Sequence, residues 1–307
     1  MKQTFLILCF FALIQPLFAE KKDWLIDGSP YKTEANLSSD KKQIELTNGL
    51  LRRTFSLTPN GATIALDNLM TGQNELRAVR PEAVLVINGK EYPVGGLEGQ
   101  PVHNFLTKDF LSGMQLCDSA FVLAGYTVSE TKERFPWKPN ETWISNRYPW
   151  PAPGKRITFT YRAPRKIVDE CKGLTIRIVY ELYDGAPILS KWIEIENNGQ
   201  KAVTLDSFKS EVLALVETAP KVHYGEPHEV RMMAQKTGYY TEDYRKRPVQ
   251  TDAPRDYIDR FTQLFVVTDY AMGGDMEAMK DNPAVRWVFD HPEYEFTGIR
   301  YYGQYKP

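Results

Sequence analysis

Apolar and polar side chains alternate with a period of two along most of the chain, the spacing of a strand that buries one face. Across 175–183, Ile176, Ile178, Tyr180 and Leu182 fall on one side, with Arg177, Val179 and Glu181 on the other. Asp184-Gly185-Ala186-Pro187 then supplies a turn, and the run at 188–196 sets Leu189, Ile193 and Ile195 against Ser190, Trp192, Glu194 and Glu196. Asn198-Gly199 suits the positive φ angles of a tight hairpin, and strand texture resumes from Val203 to Val216. Three such runs joined by short turns predict an antiparallel meander. The same texture predicts strands near 44–46, 51–57, 84–87, 156–161, 261–267, 285–289 and 296–302, with turns at Asn48-Gly49, Pro59-Asn60-Gly61 and Asn88-Gly89. No apolar stripe of helical period runs beyond about two turns, and 277–280 is at most one short turn. The expected class is all-β, antiparallel, in one extended two-sheet sandwich, because no linker-like segment divides the chain.

Two segments break the alternation. Residues 1–19 carry Lys2, then an apolar run over 4–14, then Pro16 and Leu17-Phe18-Ala19, the layout of a secretory signal. The run is too short to span a bilayer, so cleavage near Ala19, a secreted or periplasmic protein and a single domain over 20–307 are expected, with no membrane span. Residues 132–154 hold prolines at 136, 139, 149, 151 and 153, which have no place in central strands. This excursion belongs on the surface, and it gathers Trp137, Trp143 and Trp150, three of the six tryptophans.

Composition narrows the function. The 38 basic side chains nearly balance the 39 acidic ones, which argues against a polyanion such as nucleic acid as partner. Only 4 His and 3 Cys are present, so thiol and metal chemistry have little to draw on, while 12% aromatic residues favour stacking and packing. Loss of Cys9 with the signal leaves Cys117 and Cys171, either bridged by one disulfide or carried as two thiols. No cofactor is expected.

The stretch from Ile44 to Gly96, which opens Ile44-Glu45-Leu46-Thr47-Asn48-Gly49-Leu50-Leu51-Arg52-Arg53-Thr54-Phe55, resembles the start of the β-domain that precedes the catalytic barrel in bacterial α-galactosidase-like glycoside hydrolases. The stretch from Val179 to Gly199, with Tyr180-Glu181-Leu182-Tyr183-Asp184-Gly185-Ala186-Pro187 near its start, is similar to a strand and hairpin of the same domains. The resemblance implies a galactose-mutarotase-like β-supersandwich. It also implies a carbohydrate-associated role, in which the domain packs on, or shapes the sugar cleft of, a (β/α)8 barrel in cis. This chain has no room for such a barrel after the sandwich, so the expectation is the N-terminal part of a longer enzyme.

Four residues are candidates for acid–base chemistry of their own. His223, Glu226, His228 and Glu229 lie within seven positions, and stand-alone mutarotases pair a histidine acid with a glutamate base. That alternative makes the chain an aldose epimerase. The spacing nominates no third ligand for a metal, from His103 or His291, and 269–281, though rich in Asp, lacks a regular calcium spacing. Glu194 and Glu196 share a strand face and are read as solvated. For carbohydrate binding, whether within such an enzyme or as a glycan-binding module, the candidates are Trp137, Trp143, Trp150 and Trp192, because a sugar's CH face stacks on a flat ring.

Overall fold

The computed structural model describes residues 23–100, 106–137, 149–163 and 171–215, together with two strands, Val285–Asp290 and Thr297–Gly303. Among these residues there are fifteen strands and one six-residue helix, and every strand pairing is antiparallel. The chain is an all-β sandwich.

The first sheet runs in sequence order through β1 (Glu34–Leu37), β2 (Gln43–Thr47), β3 (Leu51–Ser56), β4 (Ala62–Asn68) and β5 (Gln73–Asn74). β6 (Leu76–Ala78), β7 (Ala83–Ile87) and β8 (Lys90–Val94) follow, and then the helix α1 (Lys108–Gly113), whose Phe110 amide donates to the Thr107 cap. A four-stranded sheet is ordered β12-β11-β10-β9 from β9 (Val122–Glu130), β10 (Gly154–Arg162), β11 (Leu174–Tyr183) and β12 (Leu189–Asn197). β13 (Leu205–Leu215), β14 (Val285–Asp290) and β15 (Thr297–Gly303) join β7 and β8 in the order β14-β15-β13-β7-β8, with β6 also on β13.

Turn chemistry sets several registers. Asn88 and Gly89 take φ of 49° and 74° between Ile87 and Lys90, which pair directly, as a two-residue hairpin requires. Asn198-Gly199 does otherwise: neither residue is among those with positive φ, and Asn197 Oδ1 accepts the Gly199 amide at 2.9 Å. The side chain of Asn197 makes an Asx turn there, and the chain then leaves the sheet. The expected meander therefore stops after two strands. β12 pairs with β11, whereas β13 crosses to lie between β7 and β15.

One core links all three sheets. Ile44, Leu46 and Phe55 of the first sheet meet Leu85, Ile87 and Tyr92 of β7 and β8, and Ile157, Phe159, Ile176, Ile178 and Leu182 of β10 and β11. Phe55 sits 4.9 Å from Phe159 and 4.8 Å from Tyr180, ring centre to ring centre, in tilted contacts. Gly61 and Gly95 make space for Tyr161, since a Cβ on Gly61 would stand 2.4 Å from the tyrosine hydroxyl oxygen. Cys171 is buried in this core, Cys117 lies 3.1 Å from the Ser119 hydroxyl, and the two are not bonded to each other. No helix among the described residues is long and apolar enough to cross a membrane.

Candidate functional site

The proline-rich excursion joins β9 to β10, and its two described limbs close on each other at the root. Thr131 donates from its hydroxyl to the Ala152 carbonyl at 2.6 Å, and the Trp150 indole N–H donates to the Phe135 carbonyl at 3.2 Å. The rings follow the same closure: Trp150 is 5.2 Å from Phe135 and 5.3 Å from Trp137. Phe135 remains 49% exposed, so the stack is partly open to solvent rather than absorbed into the core.

Trp192 reaches the same area from the outward face of β12. The Arg134 guanidinium lies 4.9 Å from its ring centre and 6.0 Å from that of Phe135, and Arg156 lies 5.1 Å from Trp192. Arg156 is fixed from below, with its Nε and Nη2 atoms 2.7 and 2.6 Å from Oε1 of the buried Glu181. Alternation alone puts Glu181 on a solvated face. The structure covers it instead with the base of the excursion, where the Lys132 amide donates to Glu181 at 3.3 Å. Three of the four tryptophans singled out in the sequence thus share one face, on neighbouring or cation-bridged rings, and Trp143 lies outside the described residues. Flat apolar rings beside guanidinium N–H groups can stack on a sugar's CH face and bind its oxygens.

A second cluster sits in the interior, where the three sheets converge. Arg53 of β3 donates to Glu211 of β13 (2.8 and 3.2 Å), to the Tyr180 hydroxyl of β11 (3.3 Å) and to Thr63 of β4 (2.9 Å). Lys191 of β12 donates to Glu211 Oε1 at 2.8 Å and to the Glu82 carbonyl at 2.6 Å. The Glu82 carboxylate accepts from the Thr63 amide and hydroxyl and from the Tyr180 hydroxyl. The Arg53 guanidinium also lies 4.6 Å from the Tyr180 ring centre. Two cations and two carboxylates therefore cancel, and none of their side-chain polar atoms is left without a partner.

Burial pushes the Glu211 carboxyl upward, but Arg53 and Lys191 outweigh it and bring the group down to about 2. Burial also holds the Lys191 ammonium below its ordinary value against the pull of Glu211 and Glu82, and it drives the Tyr180 hydroxyl well above its own. A carboxylate held that low is a poor proton acceptor near neutral pH, and its oxygens are occupied by Arg53 and Lys191, so the quartet serves as an internal lock. Because the folded pKa of Glu211 lies below its unfolded value, its contribution to stability is complete above about 4.5. It drains away below that value and is gone once the pH passes below about 2. Urea midpoints measured from pH 6 to pH 2 are expected to fall, with a shallower fall for Glu211→Gln. An equal slope in both proteins would contradict the assignment.

His223, Glu226, His228 and Glu229 lie outside the described residues, as do His103, His291 and 269–281. Glu194 and Glu196 are exposed on β12, with Arg177 bonded to Glu196 and Glu194 accepting the Trp192 N–H at 3.1 Å. Among the described residues no three His, Cys, Asp or Glu side chains gather as metal ligands do. The interior quartet was the feature that sequence reasoning missed. Its signal is nevertheless present, since Arg53 alternates with Leu51 and Phe55, and Lys191 with Leu189 and Ile193, which puts both cations on the apolar side of their strands.

No family model, curated protein or solved structure matches the chain.

Proposed function

We propose that this chain is a secreted, carbohydrate-binding β-sandwich domain of the galactose-mutarotase-like kind, which presents its aromatic face to sugar alongside an α-galactosidase-like catalytic barrel. The observation that carries this reading is the partly exposed stack of Phe135, Trp150 and Trp137, outside the core, in which the Trp150 indole N–H is tied to the Phe135 carbonyl. A monomeric sandwich gains little from leaving such rings at its surface, whereas a sugar-binding face needs them there. The resemblance over 44–96 and 179–199 supports the pairing with a glycosidase. The domain has no hydrolytic role of its own in this reading.

The test is a titration of the full chain with galacto-oligosaccharides, followed by tryptophan fluorescence and calorimetry, beside an assay for aryl α-galactoside hydrolysis. Binding without turnover is expected, and Trp150→Ala is expected to weaken it about tenfold or more. Turnover that disappears in Glu226→Gln would overturn the proposal.

A further inference from the structure

The four-stranded sheet ends on β9, which has β10 on one side and, among the described residues, no strand on the other. An open strand edge invites pairing, and proteins blunt it with charge, proline or shortness. The other terminal strands here follow that rule: β1 and β5 have 4 and 2 residues, β8 carries Lys90 and Pro93, β12 carries Glu194 and Glu196, and β14 carries Arg286 and Asp290. β9 spans 9 residues and holds neither charge nor proline from Val122 to Ser129. Its one irregularity, the extra residue Ala124, lies near the start, and 125–130 runs in unbroken register with β10. The limb that follows turns away from this edge across the outer face, since the Lys132 amide reaches Glu181 on β11 and Arg134 lies over Trp192 on β12.

The phase of the ladder identifies the groups this edge offers. The Thr131 amide donates to the carbonyl of Gly154 directly opposite. Hydrogen-bonded pairs with β10 therefore recur at Ser129 and Thr127, and the amides and carbonyls of Tyr126, Val128 and Glu130 point to the free edge. The Glu130 carbonyl takes the Ser129 hydroxyl at 3.0 Å and keeps a lone pair for a second donor. We infer that β9 is the pairing edge of a symmetric dimer, in which two copies join their four-stranded sheets antiparallel about a two-fold axis at Val128. In that register Tyr126 of each copy faces Glu130 of the other, and about six backbone hydrogen bonds form. Thr127 meets Ser129, and the two Glu130 positions stand about 13 Å apart along the strands, so their charges are screened. Val128 is 44% exposed although it sits on the core side of β9, opposite the fully buried Ile157, and its own copy covers it. Gly125 falls opposite Thr131 of the second copy. Glycine weakens a strand, and nothing among the described residues requires it there: its φ is not left-handed, and an added Cβ would meet no atom within 4 Å. The approach of a second backbone supplies the reason. Because directly opposed residues share a face, both tryptophan faces open on the same side of the joined sheet.

Sedimentation equilibrium of the full chain from about 1 to about 200 µM is expected to show monomer and dimer, with a dissociation constant on the order of 10 µM, as suits a seam at the small end of specific interfaces. Val128→Lys sets two ammonium groups opposite each other at an exposed position. It is expected to raise that constant about tenfold or more and to leave the urea midpoint of the monomer unchanged. Ile195→Lys, on the other terminal strand β12, is expected to change neither. In the unsubstituted protein, amide exchange at Tyr126, Val128 and Glu130 is expected to slow as the concentration rises, while Thr127 and Ser129 stay protected by β10 throughout. A chain that is monomeric over the whole range overturns the dimer, whether or not those three amides are protected. A dimer that Ile195→Lys breaks and Val128→Lys leaves intact also overturns it, as does growth beyond two copies, because a two-fold seam closes on itself. The exchange series needs no variant, so its outcome stands even if Val128→Lys folds poorly.

Discussion

Replacing Arg53 with methionine is expected to cost about 3–5 kcal/mol of folding stability, measured by urea denaturation at pH 7. Arg53 is 2% exposed and neutralises Glu211 and Glu82 together. Without it, Lys191 alone faces the buried Glu82 carboxylate and the largely covered Glu211 carboxylate, and the guanidinium hydrogen bonds to both are lost. The loss of one partner exceeds what the intact quartet contributes, because an uncompensated buried charge carries its full desolvation cost. Arg53→Met combined with Glu211→Gln is therefore expected to cost clearly less than the sum of the two single changes, since each removes the other's stranded partner. A single-variant loss below about 1 kcal/mol, or strict additivity, would show that water enters the junction and that the quartet is not the lock described above.

Phe159→Ala is expected to destabilise by a similar amount, about 3–5 kcal/mol, through a different mechanism. Phe159 is 1% exposed and lies in the central layer of β10, with Phe55 at 4.9 Å, Tyr180 at 6.1 Å and Tyr126 at 6.2 Å around it. Truncation removes the ring's burial and leaves a void lined by neighbours whose own strands are fixed by hydrogen bonds, so little collapse can refill it. Phe159→Leu, which keeps more of the volume, is expected to cost markedly less. Denaturation midpoints of the two variants measure the difference, and equal losses would argue that the layer repacks freely.

The strand assignments at 44–46, 84–87, 156–161, 175–183 and 188–196 were legible because each depends on neighbours in sequence. Alternation selects the face, and Gly or Asn closes the turn. The hairpin at Asn88-Gly89 is the clearest instance. The route of β13 was not legible. Nothing local distinguishes a strand that folds back on β12 from one that crosses to β7, and the choice rests on Leu205, Phe208 and Lys209 pairing with Ile87, Leu85 and Val84. Glu181 shows the same limit at the level of one side chain. Its alternation is that of a solvated residue, yet Arg156 and the base of the excursion bury it. Of the candidate site, the sequence located the proline-rich limb and nominated Trp192 separately, but it did not place them together. Arg134 and Arg156, which join them, carried no signal of their own in a chain with 38 basic residues.

The sequence alone determined the class: period-two patterning with few helical stripes commits the chain to antiparallel strands, because each strand must bury one face. It also determined that the aromatic surplus divides into core filling and a tryptophan-rich surface limb, since proline bars that limb from the sheets. Tertiary structure alone decided how the strands divide into sheets, which charges are buried and which rings meet. Those outcomes depend on contacts between residues far apart in the chain, such as Arg53 with Glu211 and Arg134 with Trp192, and local pattern does not encode which distant partner a side chain will find.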